Sequence, residues 1–259
     1  MENLWHIDLT PLQFVLFALG GLASGIINTL AGSGSLITLP IFVFLCDLPT
    51  PIANGTNRVG VLLQNAVAIR SLMRMGIADF RGSLWLVAPA TVGGLVGSRI
   101  AVSLAEEWMN YALGGLMIFM LIVLSLRPER WLRESQPAVK RNKRPLTVLA
   151  FFLIGMYGGF IQVGVGIFLL AGLVLFSRYS LKDGNSIKLL IVLMLTVPST
   201  MVFFLYHQIH FGYGVLMAVF QGIGAWIGAH FIARVPNANV WIYRLLLVIT
   251  TVSAVKFLF

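Results

Sequence analysis

Two glycine-rich stretches interrupt apolar segments of this chain, and they constrain its fold more than any other feature. The first covers residues 25–35 and lies between apolar runs at 14–23 and 36–45; the second covers residues 158–166. Inside a bilayer each unpaired backbone group costs several kcal/mol, so such breaks are tolerated only where protein buries them or where they line a water-filled cavity. Two broken segments at matching places in two halves of a chain indicate a transporter's binding site.

The composition predicts a multi-spanning membrane protein. Of the 259 residues, 58% are hydrophobic and only 10% are charged, whereas a soluble domain has about 25% charged residues. The single cysteine, Cys46, excludes an intrachain disulfide and a cysteine-cluster metal site. We expect no cofactor and no metal.

Ten apolar segments follow one another along the chain, at 11–31, 35–46, 52–72, 83–104, 109–126, 146–163, 167–177, 185–206, 213–233 and 240–259. A full helical span needs about 20 residues, so the second and the seventh segment are too short to cross. Each of these two follows a Gly-x-Gly sequence. They are therefore predicted to be half-helices that pair with the preceding segment as a broken or re-entrant hairpin.

The positions of the basic residues predict the orientation of the chain. Lys and Arg accumulate in cytoplasmic loops, and 14 of the 18 basic residues fall in the loops of one side. We therefore place the chain in the cytoplasmic (inner) membrane as a multi-pass protein with both termini on the outer side. The net charge of +9 then reflects topology, and nucleic acid is not expected as a partner.

An internal repeat connects the two breaks, because Gly32-Ser33-Gly34 and Gly164-Val165-Gly166 lie 132 residues apart. The same offset places residues 53–56 over residues 185–188. The chain is predicted to consist of a first membrane repeat at 1–126, a basic cytoplasmic loop at 127–145 and a second membrane repeat at 146–259. We expect an all-α polytopic membrane protein with two inverted repeats, each with a broken or re-entrant helical hairpin plus three spanning helices. Four crossings per half would instead make the repeats parallel.

Glycine motifs occur in the same order in both halves. The first half has Gly21-x3-Gly25-x6-Gly32-Ser33-Gly34, then Leu39-Pro40 and Asn54-x-Thr56-Asn57, and the second has Gly155-x2-Gly158-Gly159-x4-Gly164-Val165-Gly166. Over nearly its whole length the chain resembles the sulfite exporter TauE/SafE family. The resemblance implies a secondary transporter that exports sulfite, sulfoacetate or a related organosulfonate by alternating access.

Charged side chains within spanning segments are costly and are functional candidates by default. Arg58 and Lys188 are the main candidates of this kind, with Arg99 as a third. The planar guanidinium of Arg58 suits an oxyanion. The structural alternative is that Arg58 bonds helix-end carbonyls and that Lys188 snorkels to the interface.

Polar residues in and near the breaks complete the predicted site. Half-helix N-termini carry partial positive charge and direct N–H groups at anions, and amide and hydroxyl groups there would add donors. The alternative is that these groups cap the broken helices or join neighbouring helices. The predicted substrate-binding residues are Asn28, Ser33, Ser35, Asn57, Arg58, Gln162 and Lys188.

The acidic residues argue against a proton relay and against an enzyme. All nine Asp and Glu residues lie in tails, loops or segment ends. One hypothesis is that the membrane potential alone, at ~2.3 kcal/mol per charge per 100 mV, drives anion efflux; if export is coupled to protons instead, His230 is the main candidate to carry them. No His/Asp/Glu set with metal spacing and no Ser/His/Asp set lies at membrane depth. An anion channel or a membrane accessory protein without transport is the alternative. The expected partners are a small anion and the lipid bilayer, and a homodimer is left open.

Overall fold

The computed structural model describes residues 4–80, 82–125, 145–177 and 179–232, and every regular element in these residues is helical. The predicted segment at 240–259, and the basic loop at 127–145 except for its last residue, lie outside the described residues. The helices are α1 (Pro11–Leu30), α2 (Ser35–Pro40, continued by a π-helical turn at Ile41–Leu45), α3 (Thr50–Arg74), α4 (Leu84–Ser103), α5 (Glu106–Ser125), α6 (Pro145–Phe160), α7 (Val165–Leu175), α8 (Leu181–Leu205) and α9 (Phe211–Ile232).

Local capping signals determine where two of these helices begin. The hydroxyl of Thr10 accepts the N–H of Gln13, and the Gln13 side chain returns a bond to the Thr10 backbone, which forms a capping box at α1. The hydroxyl of Ser180 accepts the N–H of Asp183 at 3.1 Å. Because of this cap, α8 begins four residues before the apolar segment predicted from hydropathy.

The two short helices fold back on the helices that precede them. In the first hairpin a Cβ at Gly20 of α1 would meet Ile37 and Ile41 of α2. In the second, Gly172 of α7 lies against Phe151 of α6. The arms of each hairpin therefore run antiparallel, and the two segments predicted to be too short to cross a membrane form short apolar helices.

Each hairpin packs along a helix from the other half of the chain. The first arm, α1, runs beside α9, and the second-half arm, α6, runs beside α4. These contacts are backbone to backbone, since a Cβ at Gly25 would lie 2.2 Å from the Gln221 carbonyl oxygen and one at Gly97 would lie 1.9 Å from the Met156 carbonyl oxygen. Small residues at such crossings let helices approach closely in a bilayer.

Helices α3 and α8 cross at the centre of the bundle and run antiparallel. Arg58 of α3 lies over Phe203 late in α8, while Leu72 late in α3 clusters with Leu189 early in α8. Among the described residues, α1, α4, α8 and α9 contain stretches long and apolar enough to cross a membrane. Helix α3 carries many polar residues, and most of its length is buried against other helices.

Candidate functional site

The tips of the two hairpins touch each other. The N–H of Gly166 donates to the carbonyl oxygen of Gly32 at 3.0 Å. Gly32 and Gly164 both have positive φ angles, +78° and +65°, a conformation that glycine adopts without steric penalty. A Cβ at Gly32 would lie 2.5 Å from the Cα of Gly166. The two breaks are therefore in direct backbone contact, and this contact requires glycine.

Arg58 reaches from α3 to the end of the second broken helix. Its guanidinium is fully buried and donates to the carbonyl of Gly159 at 2.6 Å, with longer bonds of 3.4 Å to the carbonyls of Gly158 and Phe160. Because α6 ends at Phe160, these are the carbonyls that a helix leaves without internal partners and that carry its partial negative charge. The guanidinium also lies 4.4 Å from the centre of the Phe203 ring.

Lys188 makes the corresponding contact from the other half. Its ammonium donates to Oδ1 of Asn185 at 2.6 Å and to the carbonyls of Asn28 and Thr29 at 3.4 Å, near the end of α1. The side chain is fully buried, so the alternative that Lys188 snorkels to the interface is wrong. Each cation thus stabilises the last turn of the broken helix that belongs to the opposite half.

The two cations are not neutralised by buried carboxylates. Within the part of the chain that the structure describes, no Asp or Glu is buried. Helix-end carbonyls supply only about half an elementary negative charge per helix. The charged forms of Arg58 and Lys188 are therefore not fully balanced by the groups around them that the structure describes.

Ser35 and Asn57 join α2 to α3. The side-chain amide of Asn57 donates to Ser35 Oγ at 3.0 Å, and the hydroxyl of Thr38 donates to Asn57 Oδ1 at 2.5 Å. All three side chains are buried. These bonds hold the first half-helix against the helix that carries Arg58.

Asn28, Ser33 and Gln162 lie at the tips themselves. The backbone carbonyl of Asn28 accepts a hydrogen bond from Lys188, and a Cβ at Gly34 would lie 2.8 Å from the Cβ of Asn28. The amide of Gln162 donates to Thr196 Oγ1 at 2.5 Å. Among the described residues, Ser33 Oγ and Gln162 Oε1 are buried without a hydrogen-bond partner. The structure therefore brings predicted residues of both repeats to one buried polar region.

Two asparagines of this region are absent from the predicted substrate-binding residues, although Asn54 belongs to the Asn54-x-Thr56-Asn57 motif. The amide of Asn54 donates to the Phe160 carbonyl at 2.8 Å, beside the bonds of Arg58, and Asn185 is the closest partner of Lys188. The predicted offset of 132 places Asn54 over Ser186, whereas an offset of 131 would place it over Asn185. An asparagine one helical turn before each buried cation is the sequence signal that would have identified both.

Arg99 lies outside this region. It is exposed, and its guanidinium donates to the hydroxyl of Tyr206 at 3.3 Å. The prediction that it flanks the central site is therefore not supported by its contacts.

Comparisons with known proteins group the chain with probable membrane transporters. The profile of the family described as Sulfite exporter TauE/SafE matches residues 16–257. The probable membrane transporter protein ORF9 of Sinorhizobium sp is 24% identical over 91% of this chain and 88% of its own length. YfcA of Escherichia coli K12 (22%, over 95% and 89%) and YdhB of Bacillus subtilis (22%, over 86% and 90%) carry the same description. No solved structure gives a significant match.

Proposed function

The chain belongs to the sulfite exporter TauE/SafE family, and from this premise we propose that it exports a small sulfur-containing anion. Its family and relatives make it a multi-pass membrane transporter and not an enzyme. The proposed substrates are sulfite, sulfoacetate or a related organosulfonate, carried across the cytoplasmic membrane by alternating access. The observation that carries the proposal is the junction of the hairpin tips, where a buried cation from each half reaches the opposite tip.

The chemistry of the tips suits an oxyanion. Helices α2, with its π-helical turn, and α7 begin at the tips, and the N-terminus of a helix favours an anion. Two donors there, Arg58 Nε and Ser33 Oγ, are buried without a partner in the described chain. Leaving a buried donor unpaired costs about 1–3 kcal/mol, which a sulfonate or sulfite oxygen would recover. Asn28, Gln162 and Lys188 are proposed as the surrounding ligands, and Ser35 and Asn57 as part of the wall that positions them.

The pairing of helices supports the inverted repeat. The contact of α1 with α9 corresponds to that of α6 with α4, and the central crossing of α3 and α8 relates the two halves to each other. In the first half, a hairpin that returns to its own side of the membrane is followed by three long helices, α3, α4 and α5. Three crossings place the start of the second half on the opposite side from the start of the first. We therefore propose that repeats 1–126 and 146–259 are inverted, that the loop 127–145 is cytoplasmic, and that both termini lie outside.

The same contacts suggest which parts move. Each hairpin and the helix that follows it pack on one helix from the opposite half. One body therefore consists of α1, α2, α3 and α9. The other consists of α4, α6, α7 and α8. Arg58 and Lys188 are bridges between these bodies. An anion that competes with helix-end carbonyls for the two cations would weaken the bridges and allow the bodies to rock.

The proposal is tested by thermal unfolding of the purified protein with sulfite, sulfate, sulfoacetate, taurine and acetate. A ligand of the folded state raises stability by RT ln(1 + [L]/Kd). We expect sulfite or a sulfonate to raise the Tm of wild type and of Arg74→Gln, an exposed arginine at the end of α3, but not of Arg58→Gln or Lys188→Gln. An equal shift in all four proteins would contradict the proposed site.

Flux from proteoliposomes then separates the proposed classes of function. Saturable efflux that follows the membrane potential supports a secondary exporter. Linear, non-saturating flux would indicate an anion channel, and an absence of flux with every solute would indicate an accessory protein. Light scattering of the same purified sample distinguishes a monomer from the homodimer.

A further inference from the structure

An apolar groove with one cation lies on the exposed face of α4. It is shallow and open to the surroundings, and its lining residues, Leu95, Val96, Arg99, Ile100 and Ser103, all belong to α4. These residues span about 12 Å along the helix axis. Leu95 and Ile100 are among the exposed large hydrophobic residues, so the groove faces the surroundings of the bundle.

Arg99 lies in the middle of this groove, with Leu95 and Val96 about one turn before it and Ile100 and Ser103 after it, toward the end of the helix. The guanidinium donates to the Tyr206 hydroxyl at 3.3 Å and lies 5.9 Å from the centre of its ring. Glu106 and Glu107 begin the next helix, but neither forms an ion pair with Arg99 in the described part of the chain. The guanidinium therefore keeps donors for a further acceptor.

The aromatic residues place this end of the bundle at the level of lipid headgroups. The turn between α8 and α9 lies beside the end of α4, because Gln208 donates to the Val102 carbonyl. Tyr206, Trp108 and Tyr111 are all exposed at this end. Exposed Trp and Tyr residues are enriched where a membrane protein meets the membrane–water interface.

We propose that this groove binds an anionic glycerophospholipid. The phosphate accepts hydrogen bonds from the guanidinium of Arg99 and the hydroxyl of Tyr206, and one acyl chain lies along Leu95 and Val96. A planar guanidinium matches phosphate geometry, and the apolar wall runs from that cation toward the membrane interior. Charge complementarity and the apolar continuation select a lipid over a second copy of the chain.

The test uses the full-length protein reconstituted with two photoreactive probes, a phosphatidylglycerol and a diacylglycerol, each with a diazirine in the acyl chain. Labelled peptides are identified by mass spectrometry. We expect the phosphatidylglycerol to label the α4 groove in wild type and in the control Arg74→Gln. In Arg99→Gln this labelling should fall about fivefold, the effect of one basic residue at an anionic surface, and Arg99→Lys should restore part of it.

Three outcomes would overturn the proposal. Equal labelling of the groove by diacylglycerol would show that the phosphate is not recognised. Unchanged labelling in Arg99→Gln would show that the guanidinium is not the anchor. Failure of both probes to label the groove, with cross-links between two copies of α4, would show that a second chain covers it.

Discussion

The contact between the two hairpin tips leads to a quantitative prediction for Gly166→Ala. A Cβ at Gly166 would lie 2.3 Å from the Cα and 2.6 Å from the carbonyl oxygen of Gly32. Ordinary van der Waals contact begins near 3.4 Å, so the two backbones must separate by about 1 Å. That displacement weakens or breaks the 3.0 Å bond between the Gly166 N–H and the Gly32 carbonyl.

The expected consequences differ for stability and for transport. Overpacking of a tight contact typically costs about 1–3 kcal/mol, which lowers the Tm without preventing folding. A misplacement of about 1 Å in a functional site can reduce a rate roughly 100-fold. We therefore expect sulfite efflux from proteoliposomes to fall by about two orders of magnitude in Gly166→Ala, at equal amounts of reconstituted protein.

Gly115→Ala provides the matched control. Gly115 lies within α5, and no described atom beyond the nearby backbone of its own helix lies within 4 Å of the position that its Cβ would take. Alanine is more favourable than glycine within a helix by roughly 0.5–1 kcal/mol, so this variant should be at least as stable as wild type and should transport normally. Wild-type flux and an unchanged Tm in Gly166→Ala would refute the tight junction of the tips.

Three further predictions concern packing and reactivity. Gly159→Ala places a Cβ 1.9 Å from the Gly94 carbonyl oxygen, so we expect a loss of about 1–3 kcal/mol in reversible unfolding; stability equal to Gly115→Ala would contradict it. Asn57→Ala removes the bonds to Ser35 and Thr38 and should lower stability by about 2 kcal/mol, whereas an unchanged Tm would show that α2 does not depend on them. Burial, together with the Asp47 carboxylate, raises the pKa of the Cys46 thiol to about 12, so maleimide labelling at pH 8 should be about 1,000-fold slower in the folded than in the SDS-unfolded protein. Because the folded-state pKa of the Cys46 thiol is raised, its ionisation lowers the free energy of unfolding only above the unfolded-state pKa of about 9. Rapid maleimide labelling of the folded protein at pH 8 would refute the burial of Cys46.

Much of this architecture follows from the sequence because the bilayer imposes simple rules. Segment lengths identified the half-helices, since a span of about 20 residues is a physical requirement. The glycines at 32 and 164 marked the tips because a break in an apolar segment needs a protein partner. The hydropathy of residues 52–72 did not reveal how fully α3 is buried, since its polar residues face other helices.

The partners of the buried cations could not be derived from the sequence. Hydropathy identifies Arg58 and Lys188 as unusual, but it does not say that each reaches the broken helix of the opposite half. These contacts between the halves depend on the packing of α6 with α4 and of α1 with α9. In both helix pairs, glycines let residues that are distant in the sequence come close together. The sequence does carry weaker evidence in Asn54 and Asn185, whose meaning becomes clear only from their bonds.

The arrangement of the two cations also separates a structural role from a binding role. A purely structural cap needs donors, and a glutamine at position 58 or 188 can still donate a hydrogen bond to a helix-end carbonyl. An anion site needs charge, which glutamine lacks. If the cations serve only as caps, Arg58→Gln and Lys188→Gln should keep any stabilisation by anions even where their own Tm is lower. If the cations bind substrate, the anion-dependent shift should disappear while the protein still folds. The contribution of each cation to binding is therefore measured by the difference between the anion-dependent Tm shift of wild type and that of the variant. The Tm of the variant without anion does not measure it.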